Sequence, residues 1–204
     1  MLKSVIDPNK SYSFSDYFEL NPPIRELLTY FGYSFQAKNV ALRRATADLS
    51  YFSGLKEKLE AHLTIANLTS EAARREILVA PILLEVAFFM QATVDIEYAL
   101  HVNKQLKGKI DYYIQRQRNL FVIEAKNDDL GRGLTQLAVE LIAFDKWLEP
   151  DDKPLYGCIS VGNVWQFAML DRVTKVITQD INSYSVPTDL EELLRILIAI
   201  LEGE

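Results

Sequence analysis

The chain has 204 residues, enough for one sizeable core, and its 49% hydrophobic and 25% charged composition is that of an ordinary globular protein. A net charge of −6 opposes tight non-specific binding to nucleic acid, which depends on Lys and Arg neutralising phosphates, though a local basic groove is compatible with it. One cysteine, Cys158, permits no internal disulfide, and with only two histidines, His62 and His101, the composition argues against a zinc site built on His and Cys.

A lone cysteine suits a reducing compartment. The opening MLKSVIDPNK lacks the apolar core of a signal peptide, and no run reaches the length of a transmembrane helix. A cytoplasmic protein with no membrane partner is therefore expected. A single domain is the default, divided into an N-terminal helical adornment (1–68), a core (69–171) and a C-terminal strand and helix (172–204). No internal repeat or low-complexity segment interrupts it.

Phe14 to Phe18 and Asn21-Pro22-Pro23 read as irregular chain leading into a helix over Ile24–Phe31, with proline near its start, Leu27, Leu28 and Phe31 inward and Gly32 as its stop. Leu55 to His62 reads as a second helix with Leu55, Leu59 and Leu63 on one side. These elements are expected to cover one face of a sheet.

Thr69-Ser70-Glu71 opens the next helix with a capping residue and an early acid, and Pro81 kinks or divides that helix. Glu85 stands inside the apolar run Ile82 to Met90. A buried glutamate needs a partner, either a charged side chain such as an arginine or Lys126, or a metal ion.

Val94 to Val102 alternates and reads as a strand with Asp95 and Glu97 outward and His101 as an ordinary strand histidine. Gly108 marks a turn into a second strand, Lys109 to Arg116, and Leu120 to Lys126 forms a third. Glu124 and Lys126 share one face of that strand. If Gln117 and Arg118 form a two-residue turn, Arg116 pairs with Asn119 and the same register sets Asp111 opposite Glu124. Opposed Cβ atoms lie about 4.5–5.5 Å apart, where like charges destabilise a sheet. A divalent cation would offset the repulsion, because hard cations such as Mg²⁺ take carboxylate and carbonyl oxygens. A slip of one residue would move Asp111 to the other face.

From Asp129 the apolar period changes to three and four through Leu130, Leu134, Leu137, Leu141, Phe144 and Leu148, which is helical, with Asp128 or Asp129 as cap. Arg132, Gln136 and Glu140 share its polar face. Gln136 either positions a water or phosphate or belongs to a solvated face. Arg132 has the same two readings, and Arg116 and Arg118 read as a solvated turn. Leu155 to Val161 reads as a buried strand, and Gly162-Asn163 as a turn into the antiparallel strand Val164 to Leu170, with Trp165 and Phe167 in the core. Asp171-Arg172 turns the chain into Val173 to Thr178. Thr188 and Glu191 form a capping-box pattern before LLRILIAIL, a helix apolar nearly all round. Such a helix is buried or lies in an interface, the one hint of a homodimer. The elements together predict an α/β domain with a mixed, mostly antiparallel central sheet flanked by helices.

Asp111, then Glu124-Ala125-Lys126 at the next strand's end, then a helix carrying Gln136, resembles the PD-(D/E)xK nuclease superfamily, the restriction-endonuclease-like fold. The chain is also similar to a group of uncharacterised cyanobacterial proteins thought to belong to it. Ile110 stands where the name-giving proline would, and Glu140 where an exonuclease-like subgroup has tyrosine. The resemblance implies a core of helix, three strands, helix and strand over about Glu71 to Asp171. It implies a Mg²⁺- or Mn²⁺-dependent nuclease acting on DNA or RNA, or an inactive nuclease-like module serving nucleic-acid binding or assembly. The implied catalytic residues are Asp111, Glu124, Lys126 and Gln136. The implied metal ligands are Asp111, Glu124, the Ala125 carbonyl and Glu85 from the first core helix.

Overall fold

The computed structural model describes residues 5–117, 119–125 and 129–203. The chain opens with helices α1 (Phe14–Leu20) and α2 (Ile24–Phe31), then strand β1 (Ser34–Lys38), a 3-10 turn at Ser50–Phe52 and helix α3 (Leu55–Ile65). The segment expected to be irregular is thus partly helical. The Asp16 carboxylate takes both the amide and the hydroxyl of Ser13, which closes the first turn of α1. As expected, α2 ends at Gly32, whose φ of 86° suits the left-handed cap.

A long helical stretch follows: α4 (Glu71–Arg74), a π-helical turn (Arg75–Val79) and α5 (Ala80–Met90), with Ser70 accepting the Ala73 amide as N-cap. Pro81 sits in the first turn of α5, where its missing N–H does no harm. Next come β2 (Thr93–Asn103), β3 (Leu106–Arg116), β4 (Asn119–Ala125), α6 (Leu130–Trp147), β5 (Leu155–Ser160), β6 (Val164–Asp171), β7 (Val176–Asp180), the short β8 (Tyr184–Ser185) and α7 (Leu190–Glu202). Of the two candidate caps for α6, Asp129 fills the role, accepting the Arg132 amide at 2.9 Å; Asp128 lies outside the described residues. The capping box expected at Thr188 is not the start of α7. Asp189 precedes the helix, and its carboxylate takes the Ser185 amide instead.

Among the described residues eight strands form one sheet in the order β1-β7-β6-β5-β4-β3-β2, with β8 beside β6. The pairs β1–β7 and β4–β5 are parallel and the others antiparallel, so the sheet is mixed and mostly antiparallel. Helices cover both faces. One core joins α5 and α7 to Tyr112, Ile114, Phe121 and Ile123; the other joins α1, α2 and α6 to Ile110, Tyr113 and Val122. Helix α7 is apolar nearly all round because it is enclosed within the chain. Residues 39–49 cross its outer side, where Arg195 Nη1 donates to the carbonyls of Ala45 and Ala47. Of the two readings of this helix, buried or interfacial, the structure shows the buried one. No helix among the described residues is long and apolar enough to cross a membrane.

Candidate functional site

The β3–β4 hairpin has the predicted register. Arg116 pairs with Asn119 and the ladder runs to Tyr112 opposite Ile123. Gln117 opens the turn with φ 55°, as a tight two-residue hairpin requires; Arg118 lies outside the described residues. The ladder stops one residue short of the expected Asp111–Glu124 pair.

Simple alternation would put Ile110 and Tyr112 on the same face of β3. Instead Ile110 packs in the α6 core and Tyr112 in the α5 core. The alternation breaks at Asp111, and on the neighbouring β2 it breaks beside Glu97, whose φ of 51° is left-handed. Irregularities of this kind re-aim a side chain near a site. Asp111 uses its freedom to reach across the ladder, where its Oδ2 accepts the Ala125 amide at 2.9 Å. Its Oδ1 lies 3.4 Å from Nη1 of Arg75, which the π-helical turn presents. The repulsion expected between Asp111 and Glu124 is thus offset inside the protein by an amide and a guanidinium.

Glu124 is buried, 1% exposed, and points to the α6 side of the sheet. Its Oε1 accepts from Nε2 of Gln136 at 2.7 Å, and the same nitrogen donates to Glu140 Oε1 at 2.9 Å. One amide therefore bridges two buried carboxylates. That fixes the amide's orientation, since the flipped form would set an oxygen against both. The other atom of that amide, Gln136 Oε1, is buried without a hydrogen-bond partner. Of the two readings of Gln136, the solvated face is ruled out: Gln136 is 3% exposed and Glu140, on the same helix face, 0%, because α1 and the sheet close over this side of α6.

Asp111, Glu124 and Gln136 line one cavity of about 630 Å³, and Glu71 lines it too. Sequence reasoning chose Glu85 as the acid from the helix; the structure does not bring Glu85 here. It accepts the Tyr51 hydroxyl at 2.7 Å and is not among the lining residues. The reason is distance along the helix. Glu85 is fourteen residues past Glu71, about 21 Å at helical rise, and the end that reaches the cavity is the N-terminal one. The capping pattern at Ser70-Glu71 marked that end in the sequence, but an acid in a first turn is ordinarily read as a dipole partner.

The remaining predicted residues divide. Ala125 closes β4 beside Ser160 of β5 and gives its amide to Asp111. Lys126 lies outside the described residues. Arg132 is half-buried, 3.3 Å from Asp129 and over the Phe18 ring at 6.0 Å. Arg116 is no solvated turn residue: its Nε donates to the Met90 carbonyl at the end of α5. Burial pushes the Cys158 thiol up, so it is a core residue without nucleophilic character.

The donor chemistry of the cavity, carboxylate and amide oxygens with the buried Gln136 Oε1 to spare, fits a hard divalent cation. Among the described residues, however, no three of His, Cys, Asp and Glu are grouped closely enough to hold a metal ion. No protein-family model, curated protein or solved structure matches this chain.

Proposed function

We propose that this protein is a divalent-metal-dependent nuclease whose site lies at the end of β3 and β4. The observation that carries the reading is the Asp111–Ala125 contact at 2.9 Å, which brings an aspartate of one strand onto the Glu124-Ala125 end of the next, inside one cavity. The order α5, β2, β3, β4, α6, β5 is the one that the resemblance to PD-(D/E)xK nucleases implies. Asp111 and Glu124 would hold Mg²⁺ or Mn²⁺ with the Ala125 carbonyl, and Glu71 supplies the helix acid in place of Glu85. When bound, such a cation lowers the pKa of a water and stabilises charge on a phosphate oxygen. Gln136 keeps the Glu124 carboxylate in one orientation. Lys126 would orient the attacking water or stabilise the developing charge on phosphorus.

A second reading has an observation of its own. Asp111 is already engaged by Ala125 and Arg75, and Glu124 by Gln136, as in a pocket that serves structure alone. On that reading the protein is an inactive nuclease-like module. Cleavage decides between them. Purified protein with Mg²⁺ or Mn²⁺ should cut single-stranded, duplex or branched DNA or RNA, and Glu124→Ala should abolish the cutting without unfolding the chain. Nucleic-acid binding with no cleavage under any metal would leave the inactive module standing.

A further inference from the structure

The cavity is chemically two-sided. Its lining includes the acids Glu71, Asp111 and Glu124, and also His101 and Lys107 from the β2–β3 hairpin. These two face each other directly across the ladder. Neighbouring charges are consumed: Lys109 bonds Glu97 at 2.7 Å, and Arg75 lies between Asp111 and Glu97. Among the described residues the side chains of His101 and Lys107 make no ion pair or hydrogen bond, although Lys107 is half-buried.

The wall is also tied to the N-terminal segment. The Lys104 carbonyl at the hairpin tip accepts the Tyr12 amide at 2.8 Å and the Ser11 hydroxyl at 3.0 Å. Tyr17 donates to the Gln105 carbonyl at 2.8 Å. Gly108 lets β3 run against α1 so closely that a Cβ there would meet Phe14 at 2.8 Å. A lysine and a histidine whose side chains have no partner are thus held on a braced strand pair beside an acidic pocket, in a chain of net negative charge.

We propose that the His101–Lys107 pair is a phosphate-binding arm that holds the nucleic-acid strand on one side of the cleavage position, an assignment that rests on the nuclease reading. Lys107 is four residues from Asp111 on β3, about 13 Å at strand rise. That span is on the order of four stacked nucleotides at about 3.4 Å each. The arm therefore grips a phosphate several nucleotides from the one being attacked, and it reads backbone rather than sequence.

The test is binding of labelled DNA and RNA oligonucleotides by fluorescence anisotropy across a salt series, in Ca²⁺. Lys107→Gln should weaken binding severalfold for every sequence and reduce the slope of log affinity against log salt by about 0.7 on single strands or 0.9 on duplex. Lys107→Arg should restore both, and His101→Ala should add a further loss. Lys107 has no partner to lose, so an unchanged melting temperature separates this from a folding defect. If wild type binds but Lys107→Gln shows the same affinity and slope, the arm is refuted and the nuclease reading stands. If the slope falls as expected but no metal supports cleavage, the arm survives and the nuclease reading falls. If wild type neither binds nor cuts any oligonucleotide, both fall.

Discussion

Asp111 on β3 accepts the backbone amide of Ala125 on β4 at 2.9 Å, and this cross-strand contact ties the aspartate to the strand that carries Glu124. An ionised carboxylate makes that bond stronger than a neutral acceptor would. With Arg75 on its other oxygen, Asp111 is a stabilising residue even before any ligand arrives.

Removing its charge should therefore weaken the metal-free protein. Asp111→Asn keeps an acceptor for Ala125 but loses the charge assistance and the Arg75 pairing, at a cost of about 1 kcal/mol. Thermal melts in chelator should show a lower melting temperature. A rise would mean that repulsion from Glu124 dominates after all.

The Gln136 bridge should be worth more. Gln136→Leu leaves Glu124 and Glu140 buried without their shared donor and should cost about 2–4 kcal/mol in urea unfolding. Adding Glu140→Leu should recover part of the loss, since one of the two carboxylates is then gone. A simple sum of the two single losses would show that the bridge does not couple them.

Most of the hairpin could be read in advance, because alternation and a two-residue turn fix a register with few choices. The pairing of Arg116 with Asn119 and the capping of α6 by Asp129 are of this kind. Burial depth was harder. Gln136 and Glu140 look like a polar helix face, and only the packing of α1 against α6 turns that face into interior. The structure could not be anticipated at Asp111 either, where a left-handed Glu97 on the next strand breaks the alternation. Glu85 misled because an acid in an apolar run signals burial, while here Tyr51 meets it at the surface side of α5.

A second buried network lies away from the cavity. Asp145, with a side chain 3% exposed, accepts from Arg172 at 2.9 Å, and from Lys175 and Tyr33 at 2.6 Å each. Burial alone would raise its pKa; the hydrogen bonds from Lys175, Tyr33 and Arg172 outweigh this and hold it below the usual carboxylate value. A depressed folded-state pKa gives stability that is complete above the unfolded value, about 3.9, and lost as pH falls through the folded one. Asp145→Asn should thus cost about 3–5 kcal/mol at neutral pH, because Arg172 stays buried without a carboxylate. The gap from wild type in urea midpoints should hold from neutral pH down to about 5 and close only below the ordinary carboxylate range. Closure between neutral pH and about 5 would assign the effect to another group.

Gly108→Ala should separate the arm from the fold. The added methyl would meet the Phe14 ring at 2.8 Å and its backbone nitrogen at 2.9 Å, at a φ of 149° that L side chains rarely adopt. Overpacking of this kind costs about 1–3 kcal/mol. Hydrogen exchange at residues 104–108 should quicken as the hairpin loses its seat on α1. Unchanged protection there would mean that α1 yields instead.

The most direct test of the account is calorimetric titration of Mn²⁺ into wild type and Asp111→Ala. The account predicts one site that Asp111→Ala weakens at least tenfold, since a carboxylate ligand is lost from a hard cation. Equal Mn²⁺ affinity in the two proteins would remove Asp111 from the metal site and contradict the nuclease reading at its base.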